Sequence, residues 1–296
     1  MRNIFRRCCR LQRDRNDEAR LSLTPGVESS SLHAMRLFLE LARREFRRYA
    51  TYRAATAAGL FTNTIFGFLR GAVLIAALRA SSQGSIGGYN LSEALSYTWL
   101  TQSLLMVVAV WGWNDIALRV LNGDIATDLA RPVDFQVWWL ARDLGRAWYQ
   151  VLARGIVPFV TGLVLFKLAL PGSVQRWFVF ACSIFLAVVV SFGLRFVMNL
   201  LVFWTMDWRG LSSTHNALMS VFSGMVLPVA FFPHWMAVSF RSLPWYQSLQ
   251  APIDVFLGKG SASQVLAVQL AWAIAMLSTG RVMLVVAQRR LVVQGG

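Results

Sequence analysis

The sequence predicts an all-α integral membrane protein with six transmembrane helices. It also predicts an amphipathic N-terminal helix and a further helix between the second and third spans, both on the cytoplasmic side. Of the 296 residues, 56% are hydrophobic and only 15% are charged, whereas soluble domains average about 25% charged residues. The mean hydropathy is +0.50. The apolar residues recur in runs long enough to cross a bilayer, with arginines concentrated in the connections.

Two segments precede the first apolar run. Residues 1–30 are polar and highly charged, which is typical of a disordered basic tail, and we assign residues 31–296 to the membrane domain. Residues 32–54 place apolar side chains at helical spacing opposite arginines, which favours an amphipathic helix on the inner leaflet over an ordinary soluble helix. Its apolar positions are Met35, Phe38, Ala42, Phe46 and Tyr49. The cysteines, Cys8, Cys9 and Cys182, indicate neither a disulfide framework nor a metal site.

Six apolar runs match the length of about 20 residues that a helix needs to cross the hydrocarbon core of a bilayer. The predicted spans are 57–78, 97–118, 148–170, 177–203, 216–232 and 265–286.

The arginines predict the orientation of these spans. Thirteen precede the first span, and further arginines lie in the connection after the second span and at the C-terminus. Because positively charged connections stay in the cytoplasm, both termini and the loop Gly123–Phe135 are predicted to be cytoplasmic. The net charge of +15 is then explained by this bias and by anionic lipid headgroups, and we expect no nucleic-acid partner.

A few polar or small residues lie inside the predicted spans. Arg70 falls near the middle of the first span, where it either lines a translocation path or makes a structural pair. Arg195 and Arg154 lie nearer the span ends and are expected to extend towards the interface. Gly67 and Gly71 form a G-x-x-x-G pattern, which allows close approach of a second helix. We assign these glycines to dimer packing, although chance placement explains the pattern about as well.

The sequence lacks the motifs of an energy-using or catalytic protein. It has no phosphate-binding loop, since the Gly-Lys pair at Lys259 lacks the upstream glycine, and its three histidines are widely separated. Carboxylates are essentially absent from the predicted spans, which disfavours a proton-coupled carrier. We therefore expect no catalytic residue, no metal site and no enzyme activity on this chain, and a separate subunit as the source of energy.

The connection between the second and third spans is unusually polar. Asp124 and Asp128 are four residues apart, on one face of any helix formed there, and Pro132 restricts Arg131 and turns the chain. A second amphipathic helix, "FQVWWLARDLGRAW", follows. The connection is either a handle for a soluble partner or a solvated loop.

Two stretches resemble the permeases of type-2 ABC exporters, the ABC-2 family. "LNGDIATDLARPVDF" resembles the family's loop after the second span. The stretch from "FSGMVLPVAFFPHW" onwards resembles its segment after the fifth span. The matching positions in that second segment are Gly224, Pro228, Phe232, Pro233, Trp235, Leu243, Pro244 and Pro252.

The resemblance implies a bacterial plasma-membrane permease that exports a hydrophobic or amphipathic small molecule by alternating access. It implies an ATP-binding partner subunit, which holds ATP and Mg, a second permease (identical or a sister chain) and surrounding membrane lipids. No cofactor is expected on this chain. The implied coupling residues are Gly123, Asp124, Asp128, Arg131 and Pro132, and the candidate path or gate residues are Arg70, Pro228, Pro233 and Trp235. A stand-alone secondary carrier and a lipid-handling membrane enzyme are the alternatives.

Overall fold

The computed structural model describes residues 27–82 and 84–289. This part is helical, and its only β-type pairing is an isolated bridge between Ile86 and Tyr89. The helices are α1 (Val27–Thr51), α2 (Arg53–Ala80), α3 (Leu91–Leu104), α4 (Asp115–Leu121), α5 (Ile125–Leu129), α6 (Phe135–Gln150), α7 (Ile156–Leu165), α8 (Val174–Leu200), α9 (Val202–Thr205), α10 (Trp208–Phe222), α11 (His234–Arg241), α12 (Pro244–Leu257) and α13 (Ala262–Gln288).

The predicted tail lies mostly outside the described residues, together with Cys8 and Cys9. Residues 27–30, which we assigned to that tail, form the first turn of α1. The apolar face of α1 packs along α6, where the backbone of Ala42 lies so close to Gly145 that a Cβ there would stand 2.0 Å from the Ala42 carbonyl oxygen. Only glycine allows this approach, so the absence of a side chain at Gly145 sets how closely α1 lies against α6.

Within the described ranges, four helical segments are long and apolar enough to cross a membrane. They are Arg53–Ala80, Phe135–Leu165, Val174–Thr205 and Ala262–Gln288. They include the predicted first, fourth and sixth spans and most of the third, which ends at Leu165 and not at residue 170. The third begins earlier than expected, because α6 continues through a single π-helical turn, Val151–Gly155, into α7. The amphipathic helix that we placed in the loop is therefore the first half of this long segment.

The predicted second and fifth spans are not continuous helices. Helix α3 ends at Leu104, and irregular turns lead on to α4, with positive φ angles of 52° at Ala109 and 71° at Gly112. Helix α10 ends at Phe222, and Gly224 has a φ of 75°. Left-handed backbone interrupts the regular α-helical hydrogen bonding in both places, although the apolar residues on each side continue.

The core of the bundle is formed by α8, α12, α13 and α3, and α12 is buried almost throughout. Helices α2 and α7 pack on α3 through its fully buried Trp99. A Cβ at Gly67 would stand 2.9 Å from the Trp99 ring, and one at Gly162 would stand 2.4 Å from it. Gly67 and Gly71 therefore face α3 of the same chain. At Gly67 the indole already occupies the space that the missing side chain leaves, and a Cβ at Gly71 would stand 3.6 Å from Leu95. Both glycines thus serve a contact within the chain, and their assignment to dimer packing stays a prediction.

Candidate functional site

The polar loop that we predicted between the second and third spans forms two short helices, α4 and α5. Gly123 lies between them with a φ of 80°, and a Cβ there would meet no atom within 4 Å. The turn therefore favours glycine because of its backbone conformation alone and not because of crowding. This conformation redirects the chain from α4 into α5.

Asp124 and Asp128 do not share one exposed face. Asp124 precedes α5 and is exposed, and its side chain makes no capping hydrogen bond. Asp128 is 6% exposed, accepts a hydrogen bond of 2.7 Å from Arg119 and forms an ion pair of 2.9 Å with Arg131. The expected acidic handle of two carboxylates is therefore reduced to Asp124, because the other carboxylate holds the loop together.

The remaining loop residues point in different directions. The guanidinium of Arg131 lies 4.8 Å from the centre of the Trp138 ring, a cation–π distance that ties the loop to the first turn of α6. Pro132 is exposed. Asp134 caps α6 by accepting a hydrogen bond of 3.0 Å from the backbone N–H of Val137. Gly123, Asp124 and Pro132 are thus exposed and make none of these contacts, whereas Asp128 and the half-exposed Arg131 fix the loop's shape.

A buried charged cluster lies behind this loop, formed by Asp143 and Arg146 on α6 and Arg195 on α8. Asp143 accepts hydrogen bonds from Arg146 at 2.7 Å and from both terminal nitrogens of Arg195 at 3.0 and 2.8 Å. The side chains of Arg195 and Asp143 are 1% and 2% exposed. From the sequence we placed Asp143 in the polar connection between the second and third spans, within "FQVWWLARDLGRAW", and expected Arg195 to extend to the interface. Both expectations are wrong, because the two side chains satisfy each other inside the bundle.

The same cluster holds the irregular segment that follows α3. Arg146 donates hydrogen bonds to the carbonyl oxygens of Met106 at 2.6 Å and Val107 at 2.9 Å. Ser191 on α8 donates one to the carbonyl of Val108. The carbonyls of Val107 and Val108, which accept no backbone hydrogen bond among the described residues, are thereby satisfied, and the Met106 carbonyl gains a second donor beside the N–H of Ala109. The polar cluster therefore connects α6, α8 and the chain that leads into the loop at Gly123.

A single sequence signal pointed towards this cluster. Asp143 and Arg146 are three apart and lie among small or apolar residues, and Arg195 interrupts an otherwise apolar run. Such spacing puts the first two on one helix face. The spacing does not show that α8 packs against this face, because that contact belongs to the tertiary structure.

We call the end of the bundle where α2 ends and α3 begins the far end. The predicted path or gate residues lie there or along the helices that lead to it. Arg70 donates a hydrogen bond of 2.6 Å to the carbonyl of Met225, in the turn after α10. Pro228 is buried next to that turn, whereas Pro233 and Trp235 are exposed, with Trp235 at 70%. The four residues therefore form no single constriction in this chain, and Arg70 has a structural partner.

A second polar network occupies the far end. Tyr89, in the connection between α2 and α3, donates a hydrogen bond of 3.1 Å to Asp254 of α12. Gln250 donates one of 3.0 Å to the same oxygen, and Tyr246 donates to the other oxygen of Asp254. Burial raises the pKa of Tyr89 well above its ordinary value, so its hydroxyl remains a donor. Sequence reasoning missed this carboxylate, since Asp254 was read as part of a connecting segment.

In the described ranges, no group of three or more His, Cys, Asp or Glu side chains stands close enough to hold a metal ion. The long apolar helices, the buried charged cluster and the polar loop next to it are features of a helical multi-pass membrane protein whose spans are tied to a surface loop.

The family model described as ABC-2 family transporter protein matches residues 66–295, and the chain belongs to this family. The match includes both stretches on which the resemblance rested and confirms it. No curated protein matches the sequence. As a member of the family, the chain is a permease of the ABC transporter class, a group that generally works with an ATP-binding subunit.

Proposed function

We propose that this chain is the membrane-spanning permease subunit of an ATP-driven exporter in a bacterial plasma membrane. A separate subunit binds ATP and Mg and supplies the energy, and a second permease, identical or a sister chain, completes the pathway. The cargo is a hydrophobic or amphipathic small molecule. The observation that supports this most directly is the loop Gly123–Phe135, whose base is joined to two long apolar helices by the buried cluster of Asp143, Arg146 and Arg195.

In this proposal the protein crosses the membrane six times with both termini in the cytoplasm. Four crossings are the long apolar segments, and the other two use α3 with its following turns and α10 with its following turn. Irregular backbone at such depth is tolerated where it is buried in protein. The segment 105–110 meets this condition, since Arg146 and Ser191 bind its carbonyl oxygens. The arginine distribution gives the orientation.

The loop is the proposed contact for the ATP-binding subunit. A partner that moves Asp124 moves α5 as a unit, because Asp128 ties α5 to Arg119 of α4 and to Arg131 beyond it. The chain before α4 is bound to Arg146, so displacement of the loop reaches α6 and α8. These helices then present two arrangements to the cargo, and ATP binding changes which of the two arrangements is populated.

Reconstitution tests the proposal. The chain is tagged in its native host, and the copurifying subunits are identified and reconstituted in vesicles together with the permease. Export is expected to need both the ATP-binding subunit and ATP and to stop with vanadate. Transport by this chain alone, driven by a proton gradient, would instead establish a secondary carrier.

Charge reversal at the two aspartates separates coupling from folding. Asp124→Arg is expected to reduce ATP-driven export by about tenfold or more, as for loss of a charged interface contact, while the yield and melting temperature stay unchanged. Asp128→Arg is expected to lower the melting temperature, because it confronts Arg119 and Arg131 with a third cation. Glu40→Arg, at the surface of α1, is the control. Undiminished export by Asp124→Arg would show that the partner binds elsewhere.

A further inference from the structure

The far end contains a cavity of about 590 Å³ that the proposed coupling path does not use. Its walls come from α11, α12 and the start of α13, and the connection at Tyr89 closes one side. This volume lies within the usual range of about 300–1,000 Å³ for small-molecule sites. The size therefore suits an organic molecule better than an ion or a single water.

The polar wall of the cavity includes two buried side chains that can accept hydrogen bonds from a ligand, Asp254 and Gln247. Asp254 is 7% exposed, is hydrogen-bonded by neutral donors only and has no ion-pair partner within the described ranges. Gln247 is 3% exposed, and its Oε1 has no hydrogen-bond partner among the described atoms. A buried acceptor without a donor and a buried carboxylate without an ion-pair partner are both costly. Both costs fall when a ligand brings N–H donors and positive charge.

The other walls define the rest of the ligand. Val238, Val265 and Val268 contribute an apolar surface. The cavity also has two cations. Lys259 is already engaged by Glu93 at 3.0 Å and by the carbonyl of Gly88 at 2.8 Å. Arg241 is exposed and acts on Asp254 only from beyond ion-pair distance. The cations therefore lie in neutralised or solvated positions, whereas the buried polar atom that lacks a partner among the described residues, Gln247 Oε1, is an acceptor.

We infer that this cavity is a binding site for a protonated amine attached to an apolar body, with the ammonium group at Asp254 and Gln247. The apolar body lies along the valine wall. The binding itself is independent of ATP coupling, and only the description of this ligand as an exported cargo rests on the proposed function.

Equilibrium binding of dansylcadaverine to the purified full chain in lipid nanodiscs tests the inference, with the signal of empty nanodiscs subtracted. The probe combines an apolar fluorophore with a primary amine. Its N-acetylated form keeps the fluorophore and loses the charge. We expect saturable binding of the amine, and binding of the acetylated form that is weaker by about tenfold or more.

Three variants locate the site. Asp254→Asn is expected to weaken amine binding by about tenfold or more and to leave binding of the acetylated probe unchanged. Val268 lies on the apolar wall and is not part of the Asp254 hydrogen-bond network. Val268→Trp places an indole in the cavity and is expected to weaken binding of both probes, so the test does not depend on how well Asp254→Asn folds. Glu40→Gln, a surface carboxyl-to-amide change on α1, is the control and is expected to bind like the unmodified chain.

Several results would overturn the inference. Equal affinity for the amine and its acetylated form would show that no carboxylate is involved. Unchanged binding by Val268→Trp would place the probe outside the cavity. Preferential binding of dansylglycine, which carries a carboxylate, would show that Arg241 and Lys259 define the site. Because the assay uses neither ATP nor a partner subunit, a failure here is distinguishable from a failure of ATP-dependent export.

Discussion

Replacing Asp143 by asparagine is the most informative perturbation of the buried cluster. The carboxylate is the counter-charge of two arginines whose side chains are 1% and 6% exposed, Arg195 and Arg146. It also accepts a hydrogen bond of 3.3 Å from the indole of Trp113. Asparagine keeps the size of the side chain but removes the charge, and its amide N–H₂ group confronts a guanidinium donor. Two buried cations are then left without an anion.

The expected loss is large for a single substitution. Breaking a buried ion pair by removing one partner costs about 3–5 kcal/mol, because the remaining charge stays buried without compensation. A domain of comparable size loses roughly 2–4 °C in melting temperature per kcal/mol. The expected decrease is therefore roughly 6–20 °C. Arg195→Met should cost less, because Asp143 keeps its ion pair with Arg146.

Thermal denaturation of the full chain in detergent measures this loss. Tryptophan fluorescence is a suitable signal, since Trp113 stacks on Trp139 with ring centres 5.3 Å apart beside the cluster. All variants are heated at the same rate, because unfolding of such proteins is often irreversible and the apparent midpoint then depends on the rate. Asp124→Asn, at an exposed carboxylate, is the matched control. The reasoning is refuted if Asp143→Asn melts together with this control.

Two helix contacts give further predictions. Gly67→Ala should destabilise the chain by about 1–3 kcal/mol through overpacking against the buried Trp99 ring. Gly71→Ala, whose Cβ would meet its nearest atom at 3.6 Å, should be neutral or stabilising. Thermal denaturation compares the two variants, and a change in dimerisation by Gly67→Ala without loss of stability would contradict the intrachain contact. Glu45→Gln removes the carboxylate that Arg142 contacts at 2.9 and 3.2 Å. Loss of this charge-assisted contact, about 2 kcal/mol, should make α1 detach more often from α6 and be cleaved faster by trypsin, and equal cleavage rates would contradict it.

Much of the fold was predictable from apolar runs. The segments around α2, α6–α7, α8 and α13 were found because a membrane-crossing helix needs length and apolar composition, and both are local properties. The two failures, at Ala109 and Gly224, have one cause. A run of apolar residues reports burial but not backbone conformation, and a positive φ angle leaves little trace in hydropathy.

The candidate site was predictable in place but not in detail. The composition of the loop at Gly123 and the family resemblance located it. The spacing of Asp124 and Asp128 suggested a shared face, because a regular helix was assumed there. In the structure α5 is only five residues long, so one aspartate precedes it and the other turns inwards to Arg119.

The sequence by itself determined that the chain is a helical membrane protein of the ABC-2 family and that its most polar connection follows the second apolar run. Composition and order along the chain suffice for these conclusions. Only the tertiary structure decided which charges meet. Asp143 and Arg195 are 52 residues apart, and Tyr89 and Asp254 are 165 apart. Their pairing depends on which helix faces pack together, because a charge becomes buried and partnered only when a second element closes over it.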